Sequence, residues 1–260
     1  MRQPHGQNFL TNKAVARDIV EAAELTATDR VIEIGPGRGV LTELIAPQVK
    51  ELTVIEIDRT LIPGLEARFK KSGTVHIINQ DFMRFTLDPL AATFSPVKVI
   101  SNLPYNVATP ILQRILPWNG WQSAVVMVQR EVGERMVASS GTGEYGYFSL
   151  FCQYYAQVET VMRVGPGSFS PPPKVDSIVL KLTNAFPPAP APSLFPIIKK
   201  AFSQRRKTIA NALSSGIDCP KATVIALLEQ AHIDPQLRPE RLDLSLYQTL
   251  TSLLEKYIIA

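Results

Sequence analysis

Five short apolar runs, each followed by a stretch with helical character, limit what this chain can fold into more than any other feature. The runs span residues 30–34, 51–57, 75–78, 97–101 and 123–128. Each is apolar along its whole length rather than at every second position, the pattern of strands buried on both faces. Helices are expected between them: over 40–46, over 59–70 with Asp58 as cap, and from Thr109-Pro110, a cap with a first-turn proline, to about Leu116. A further helix precedes the first run. Thr11 or Asn12 caps it, it reaches about Leu25, and Val15, Ile19, Ala22 and Ala23 share a face. Strand and helix in alternation predict an α/β fold built on a parallel sheet covered on both sides.

After residue 140 the rhythm changes. Residues 145–155 read as an aromatic-rich helix, and 158–164 and 177–182 as strands that finish the sheet as an antiparallel pair. Between those strands stands a stiff loop, Ser168-Phe-Ser-Pro-Pro-Pro-Lys174. The Pro/Ala stretch 184–193 predicts a rigid linker. The expected domains are therefore 1–183, the linker 184–193, and a helical domain 194–260 with helices near 194–204, 206–213, 220–231 and 245–258.

Composition excludes several classes. Lys and Arg number 27 against 23 acids, a net charge of +4 that permits a polyanionic partner without demanding one. Cys152 and Cys219 lie far apart without metal-ligand spacing, which predicts neither a disulfide framework nor a metal site and suits a reducing cytoplasm. The first residues lack the apolar stretch of a signal peptide, and no run is long enough to span a bilayer, so no membrane partner is expected.

Chemistry-bearing residues stand where the strands end, the edge at which open α/β sheets bind ligands. Gly35-Pro-Gly-Arg-Gly39 follows one strand and opens a helix, so backbone can approach a ligand closely. Glu56 ends the next strand, 21 residues past Gly35, where an acid accepts both hydroxyls of a ribose. The spacing G-x-G-x-G disfavours a dinucleotide and suits S-adenosyl-L-methionine, which has no pyrophosphate to cradle. Asp81 ends the third strand, either to accept an adenine amino group with Phe82 over the ring or simply to cap a turn. Gln7, Asn8, Phe9 and Leu10 read from local physics as a frayed terminus.

Asn102-Leu-Pro-Tyr105 ends the fourth strand. It offers an amide, two carbonyls and an aromatic ring to an exocyclic amine on a base. Acceptors at Asn102, Leu103 and Pro104 would localise the amine's lone pair, Tyr105 would stack on the base, and Phe169 either covers its other face or fills core under the proline loop. Arg205, Arg206 and Lys207 close a basic run that suits phosphate contact, or else a solvated helix face.

The joint presence and order of Gly6-Gln-Asn-Phe-Leu10, Glu33-Ile-Gly-Pro-Gly37, Val54-Ile-Glu-Ile-Asp58, Gln80-Asp-Phe82, Asn102-Leu-Pro-Tyr-Asn106, Phe169-Ser-Pro-Pro-Pro-Lys-Val175 and Phe202-Ser-Gln-Arg-Arg-Lys-Thr208 resemble the ribosomal RNA adenine dimethyltransferases. The likeness is closest to their small-subunit branch, whose absence brings resistance to kasugamycin-type antibiotics. It covers nearly the whole chain. It implies a Rossmann-like class I methyltransferase domain with a small helical C-terminal domain, and dimethylation of two adjacent adenosines in the 3′-terminal hairpin loop of small-subunit rRNA. It implies cofactor contacts at Asn8, Leu10, Gly35, Glu56, Asp81 and Asn102, with Gln7, Phe9 and Gly37 in the same pocket, and a base flipped between Tyr105 and Phe169. The implied partner is small-subunit rRNA within the immature 30S subunit, met by a monomer. Two features depart from the pattern: the arm Arg2-Gln-Pro-His5 is weakly basic, and Ser101 stands where a glycine often precedes the Asn. A large-subunit relative conferring macrolide resistance, an assembly factor that works mainly by holding rRNA, and an NAD-dependent oxidoreductase are the competing readings. Leu103, where the large-subunit branch typically has Ile, and the missing dinucleotide spacing weigh against the first and the last.

Overall fold

The structure, a computed structural model, describes residues 8–87, 96–217 and 219–255. It divides into two compact units, residues 1–133 with 156–184, and residues 134–155 with 185–260.

The first unit opens with β1 (Phe9–Leu10) and α1 (Lys13–Ala22), which Asn12 caps by accepting from the Ala14 and Val15 N–H groups. Four parallel strands follow with their helices: β2 (Arg30–Ile34), α2 (Val40–Ile45), β3 (Glu51–Glu56), α3 (Ile62–Phe69), β4 (Val75–Asn79), β5 (Val97–Asn102) and α4 (Ala108–Ile115). Next come β6 (Trp121–Gln129), α5 (Arg130–Val137), β7 (Ala156–Val164), β8 (Phe169–Ser170) and β9 (Ser177–Asn184). Seven strands form one sheet in the order β4-β3-β2-β5-β6-β9-β7, and β1 pairs separately with β8. β4 through β6 run parallel, while β9 is antiparallel to both β6 and β7. The α/β expectation therefore holds, antiparallel closing pair included.

The core explains the apolar runs. Ala16, Ile19 and Val20 of α1 and its C-cap Ala23, with Leu41 and Ile45 of α2, pack on Val31, Leu52, Val54, Ile100, Val125 and Met127 of the sheet. Each large side chain removed from water in this way stabilises the fold by about 1.5–3 kcal/mol. Lys98 is the charged exception inside β5. Its ammonium donates to the carbonyls of Ala23 and Glu24 and pairs with Asp29 at 2.9 Å, so it closes the C-terminal end of α1. A buried lysine is tolerated only when its donors are matched in this way.

The strand order also makes the cleft. β3 lies on one side of β2 and β5 on the other, so the connections after β2 and β5 leave in opposite directions. The β2–β5 ladder ends at Glu33 and Ile100. Beyond it the two backbones part.

Two capping expectations are corrected. Asp58 does not cap α3; it accepts from the Thr60 N–H and hydroxyl in the preceding turn, and the helix begins at Ile62 because Pro63 suits its first turn. Thr109 and Pro110 are the second and third residues of α4, within its first turn, and Val107 takes the capping position.

The second unit holds α6 (Tyr147–Tyr155), α7 (Leu194–Phe202), α8 (Ile209–Ser214), α9 (Lys221–Gln230) and α10 (Leu244–Leu254). Here the expected boundaries need correction, because 1–183 is not one continuous domain. Tyr147, Phe151, Tyr154 and Tyr155 of α6 meet the Phe195 ring of α7, with centroids 5.0–6.2 Å away. That aromatic cluster draws residues 134–155 into the helical unit. The Pro/Ala stretch belongs there too, since Tyr154 donates its hydroxyl to the Pro188 carbonyl.

Candidate active site

A cavity of about 240 Å³ opens where β2, β3, β4 and β5 end, at the point where the strand order reverses. Glu56 organises one wall. Its two carboxylate oxygens accept from the Gly37 N–H at 3.1 Å and the Asp58 N–H at 2.9 Å. The acid at the end of β3 thus holds the glycine loop after β2, which explains why both features occur at this spacing. Glu33, one residue before the end of β2, is 1% exposed and accepts the Thr42 hydroxyl at 2.6 Å. Burial pushes its carboxyl up to about 8, and the neighbouring Glu56 charge adds to the shift. Glu56 is raised as well, again chiefly by burial, while the N–H bonds from Asp58 and Gly37 work against the shift.

Asn8, Phe9 and Leu10 line the same cavity. The frayed-terminus expectation fails for them. β1 pairs with β8, Leu10 facing Phe169, and Thr11 and Asn12 donate to Ser168. Phe9 rests on Gly37. A Cβ at that glycine, whose φ is +58°, would stand 2.9 Å from the Phe9 ring, and the Arg38 guanidinium covers the ring at 4.7 Å. Only glycine accepts both the backbone conformation and the contact. Gln7 falls outside the described residues.

Asp81 is at once a cap and a wall. It accepts from the Met83 N–H at 2.9 Å to start a short 3₁₀ turn, and it lines the cavity with Phe82 and Met83. Arg114 of α4 clamps that turn by donating to the carbonyls of Phe82 and Phe85. Ile57 and Met83 remain largely exposed although apolar, and both face the cavity. Apolar side chains beside carboxylates at the ends of β3 and β4 form a slot for a flat ring carrying hydrogen-bonding edges.

Asn102, Leu103, Pro104 and Tyr105 make the opposite wall. The Leu103 N–H extends the ladder to the Met127 carbonyl, and the Pro104 carbonyl accepts from Val107 at 3.1 Å, one of its two lone pairs. The Asn102 amide nitrogen points to the Asn8 carbonyl at 3.5 Å. Its oxygen Oδ1 is buried and has no hydrogen-bond partner. Such an acceptor costs stability unless something donates to it. Gly35 lies beside Pro104, a Cβ there standing 3.6 Å from the proline ring, so the glycine-loop and Asn102–Tyr105 walls meet.

Four expected site residues are absent from the cavity lining. Phe169 is 4% exposed, belongs to the core with Leu10 and Val164, and does not line the cavity; pairing of β8 with β1 turns its ring inward. In the second unit, Arg205, Arg206 and Lys207 occupy the turn between α7 and α8 rather than a helix, because Thr208 caps α8 at Ile209. Arg205 is committed to its own chain, donating to the Gly143 and Tyr145 carbonyls. Arg206 and Lys207 are exposed. Among the wall residues not anticipated, Glu33 left a signal, an acid inside an apolar strand. Ile57, Met83 and Arg38 left none beyond their nearness to Glu56, Asp81 and Gly37.

No group of His, Cys, Asp and Glu able to hold a metal ion occurs among the described residues, and no helix there is long and apolar enough to cross a membrane. A family model described as ribosomal RNA adenine dimethylase matches residues 1–252. The chain is 44% identical over 256 residues to the ribosomal RNA small subunit methyltransferase A of Alkaliphilus metalliredigens, covering 95% of this chain and 89% of that protein. It is 38% identical over 260 residues to the protein of the same name from Pseudomonas aeruginosa, with 96% and 93% covered. A dimethyladenosine transferase from Plasmodium falciparum superposes with a TM-score of 0.80 at 25% identity, over 96% of this chain and 98% of that one. The fold is shared too with the 23S rRNA methyltransferase ErmE, at a TM-score of 0.73, 24% identity, and 95% and 100% coverage.

Proposed function

Because the chain belongs to the ribosomal RNA adenine dimethylase family, we propose that it dimethylates the exocyclic amines of two adjacent adenosines in the 3′-terminal hairpin loop of small-subunit rRNA. It is an rRNA adenine dimethyltransferase, and S-adenosylmethionine is its methyl donor. The observation that carries the proposal is the buried, unpartnered Asn102 Oδ1 in the same cavity as Glu56.

The wall residues suit the donor. Glu56 accepts the ribose hydroxyls, Asp81 the adenine amino group, and Ile57 and Met83 flank the ring. Asn8, Leu10, Gly35 and Gly37 approach through backbone. S-adenosylmethionine supplies a methyl group carried on positively charged sulfur.

The acceptor amine is a weak nucleophile because its lone pair is conjugated with the purine. Asn102 Oδ1 and a carbonyl of the Leu103–Pro104 turn accept its N–H bonds and turn the lone pair out of conjugation. The same oriented dipoles stabilise the positive charge that grows on the nitrogen. The proton leaves to solvent after transfer, so no strong base is needed. Tyr105 stacks on the base, a contact worth about 1–3 kcal/mol. Extrusion of a loop adenosine is cheap because pairing is already lost.

The substrate in this reading is the immature 30S subunit, met in the cytoplasm by a monomer during ribosome biogenesis. The test is mass spectrometry of unmethylated small subunits after incubation with the protein and labelled S-adenosylmethionine. Two dimethylated adenosines in the 3′-terminal hairpin are expected. Label on large-subunit rRNA alone, or none, overturns the proposal.

A further inference from the structure

We propose that Ser177 is a positioning residue for the acceptor base, fixing the plane of the Tyr105 ring through the hydrogen bond between their hydroxyls. The proposal rests on the reading of Tyr105 as the stacking platform and deepens it, since neither the family motif nor the cavity wall includes Ser177.

The two hydroxyl oxygens lie 2.6 Å apart. Their surroundings differ sharply. Tyr105 sits in the turn after β5, half-buried, with its ring on the cavity wall. Ser177 is fully buried at the first position of β9, in register with Gln129 of β6 on one side and Val164 of β7 on the other. Its backbone is therefore held from both flanks. A tyrosine ring moves about two torsions, and a mount at Cα alone leaves it free to tilt. Bonding at the far end to a fixed point of the sheet removes that freedom before any base arrives, which is pre-organisation.

The position of Ser177 also matters. The segment before it leads back to Phe169–Ser170, which pairs with Phe9–Leu10 of the cavity wall. One hydroxyl thus references the acceptor platform to the strand whose preceding loop backs the donor side. Reacting atoms must meet within a few tenths of an ångström, so a shared reference has a direct effect on rate. Burial raises the Tyr105 hydroxyl above its ordinary range, with the Ser177 bond working the other way, so it stays protonated at neutral pH and keeps the bond.

The experiment uses unmethylated small subunits and five variants, each checked by thermal melting. Ser177→Ala is expected to lower kcat/KM for rRNA by roughly tenfold, about the weight of one oriented hydrogen bond, while the Kd for S-adenosylmethionine stays put and the melting temperature falls no further than in Tyr105→Phe, which breaks the same bond. Tyr105→Phe should lose a similar factor, the double variant no more than either alone, and Ser177→Thr should restore activity. A loss that adds in the double variant, or wild-type kcat/KM in Ser177→Ala, overturns the positioning role. Tyr105→Ala separates the two levels. If it abolishes methylation while Ser177→Ala is silent, positioning alone fails; if it is itself silent, the stacking reading fails as well.

Discussion

Ser101 donates its hydroxyl to the backbone carbonyl of Ile34, bridging β5 and β2 just past the last paired residues, Glu33 and Ile100. This is where the sheet must open for a ligand and yet hold Gly35 and Asn102 at a fixed separation. The ladder cannot do both. A side chain supplies the bond that the diverging backbones give up, and Ser101 is fully buried while doing so.

Ser101→Ala should therefore cost about 1–3 kcal/mol, the range for taking a hydrogen bond from a buried carbonyl. Urea denaturation should show a lower midpoint with an unchanged slope. The affinity for S-adenosylmethionine should fall with it, because the next residues along each strand line its cavity. A midpoint equal to wild type would mean the hydroxyl is a passenger.

Gly37→Ala tests the contact between the glycine loop and the amino-terminal strand. The new methyl group would meet Phe9 at 2.9 Å, in a backbone conformation with φ +58° that L-residues seldom adopt. Either Phe9 leaves the wall or the loop withdraws from Glu56. Calorimetry should register roughly a tenfold weaker cofactor, about 1.4 kcal/mol. Combining it with Phe9→Ala should return part of the loss, since the clash goes and the strain stays.

Much of this was legible in the residues, and the reasons are physical. Strand runs with period-independent apolarity admit few alternatives, so β2 falls on 30–34 as expected. Glu56 and the glycine loop after Ile34 were readable as a pair, because ribose and backbone chemistry fix their spacing, but the direct bond from the Gly37 N–H to Glu56 was not. What failed depended on long-range pairing. Phe9 and Leu10 look frayed until β8, some 160 residues later, arrives to pair with them. Phe169 offers the same ring to a base or to a core, and only the register of β8 decides. Residues 134–155 carry no local mark of the unit they join, because their aromatic partner Phe195 stands beyond the sheet. The size of Ser101 was visible, but its bond to Ile34 was not.

Glu33 should leave a signature in the pH dependence of stability. Its folded-state value of about 8 stands above the ordinary 4.5. Between those values the folded chain keeps a proton that the unfolded chain has lost, so stability falls as pH rises and levels off above about 8. Burial shifts Glu56 in the same direction. Glu33→Gln keeps a carbonyl oxygen for Thr42 but cannot ionise. Denaturation between pH 5 and pH 9 should find the variant matching wild type at the acid end and exceeding it at the alkaline end. Parallel curves would mean that Glu33 titrates normally.

Arg205 and its two neighbours should part company, although the sequence groups them. The Arg205 guanidinium donates to the Gly143 carbonyl at 3.0 Å and the Tyr145 carbonyl at 2.9 Å, and it lies 6.0 Å from the centre of the Phe202 ring. Those bonds tie the turn before α6 to the end of α7, both within the second unit, so this charge is engaged in folding. Arg206 and Lys207 are exposed in the same turn and suit phosphate contact. In filter binding against rRNA across a range of salt, Arg206→Ala and Lys207→Ala should each reduce the slope of log K against log salt by about 1, one phosphate contact apiece, and leave melting unchanged. Arg205→Ala should lower the melting temperature and leave that slope within error of wild type. An equal fall in slope for all three would show that the guanidinium lets go of its carbonyls to meet the RNA, and the division between a structural arginine and two contacting cations would be wrong.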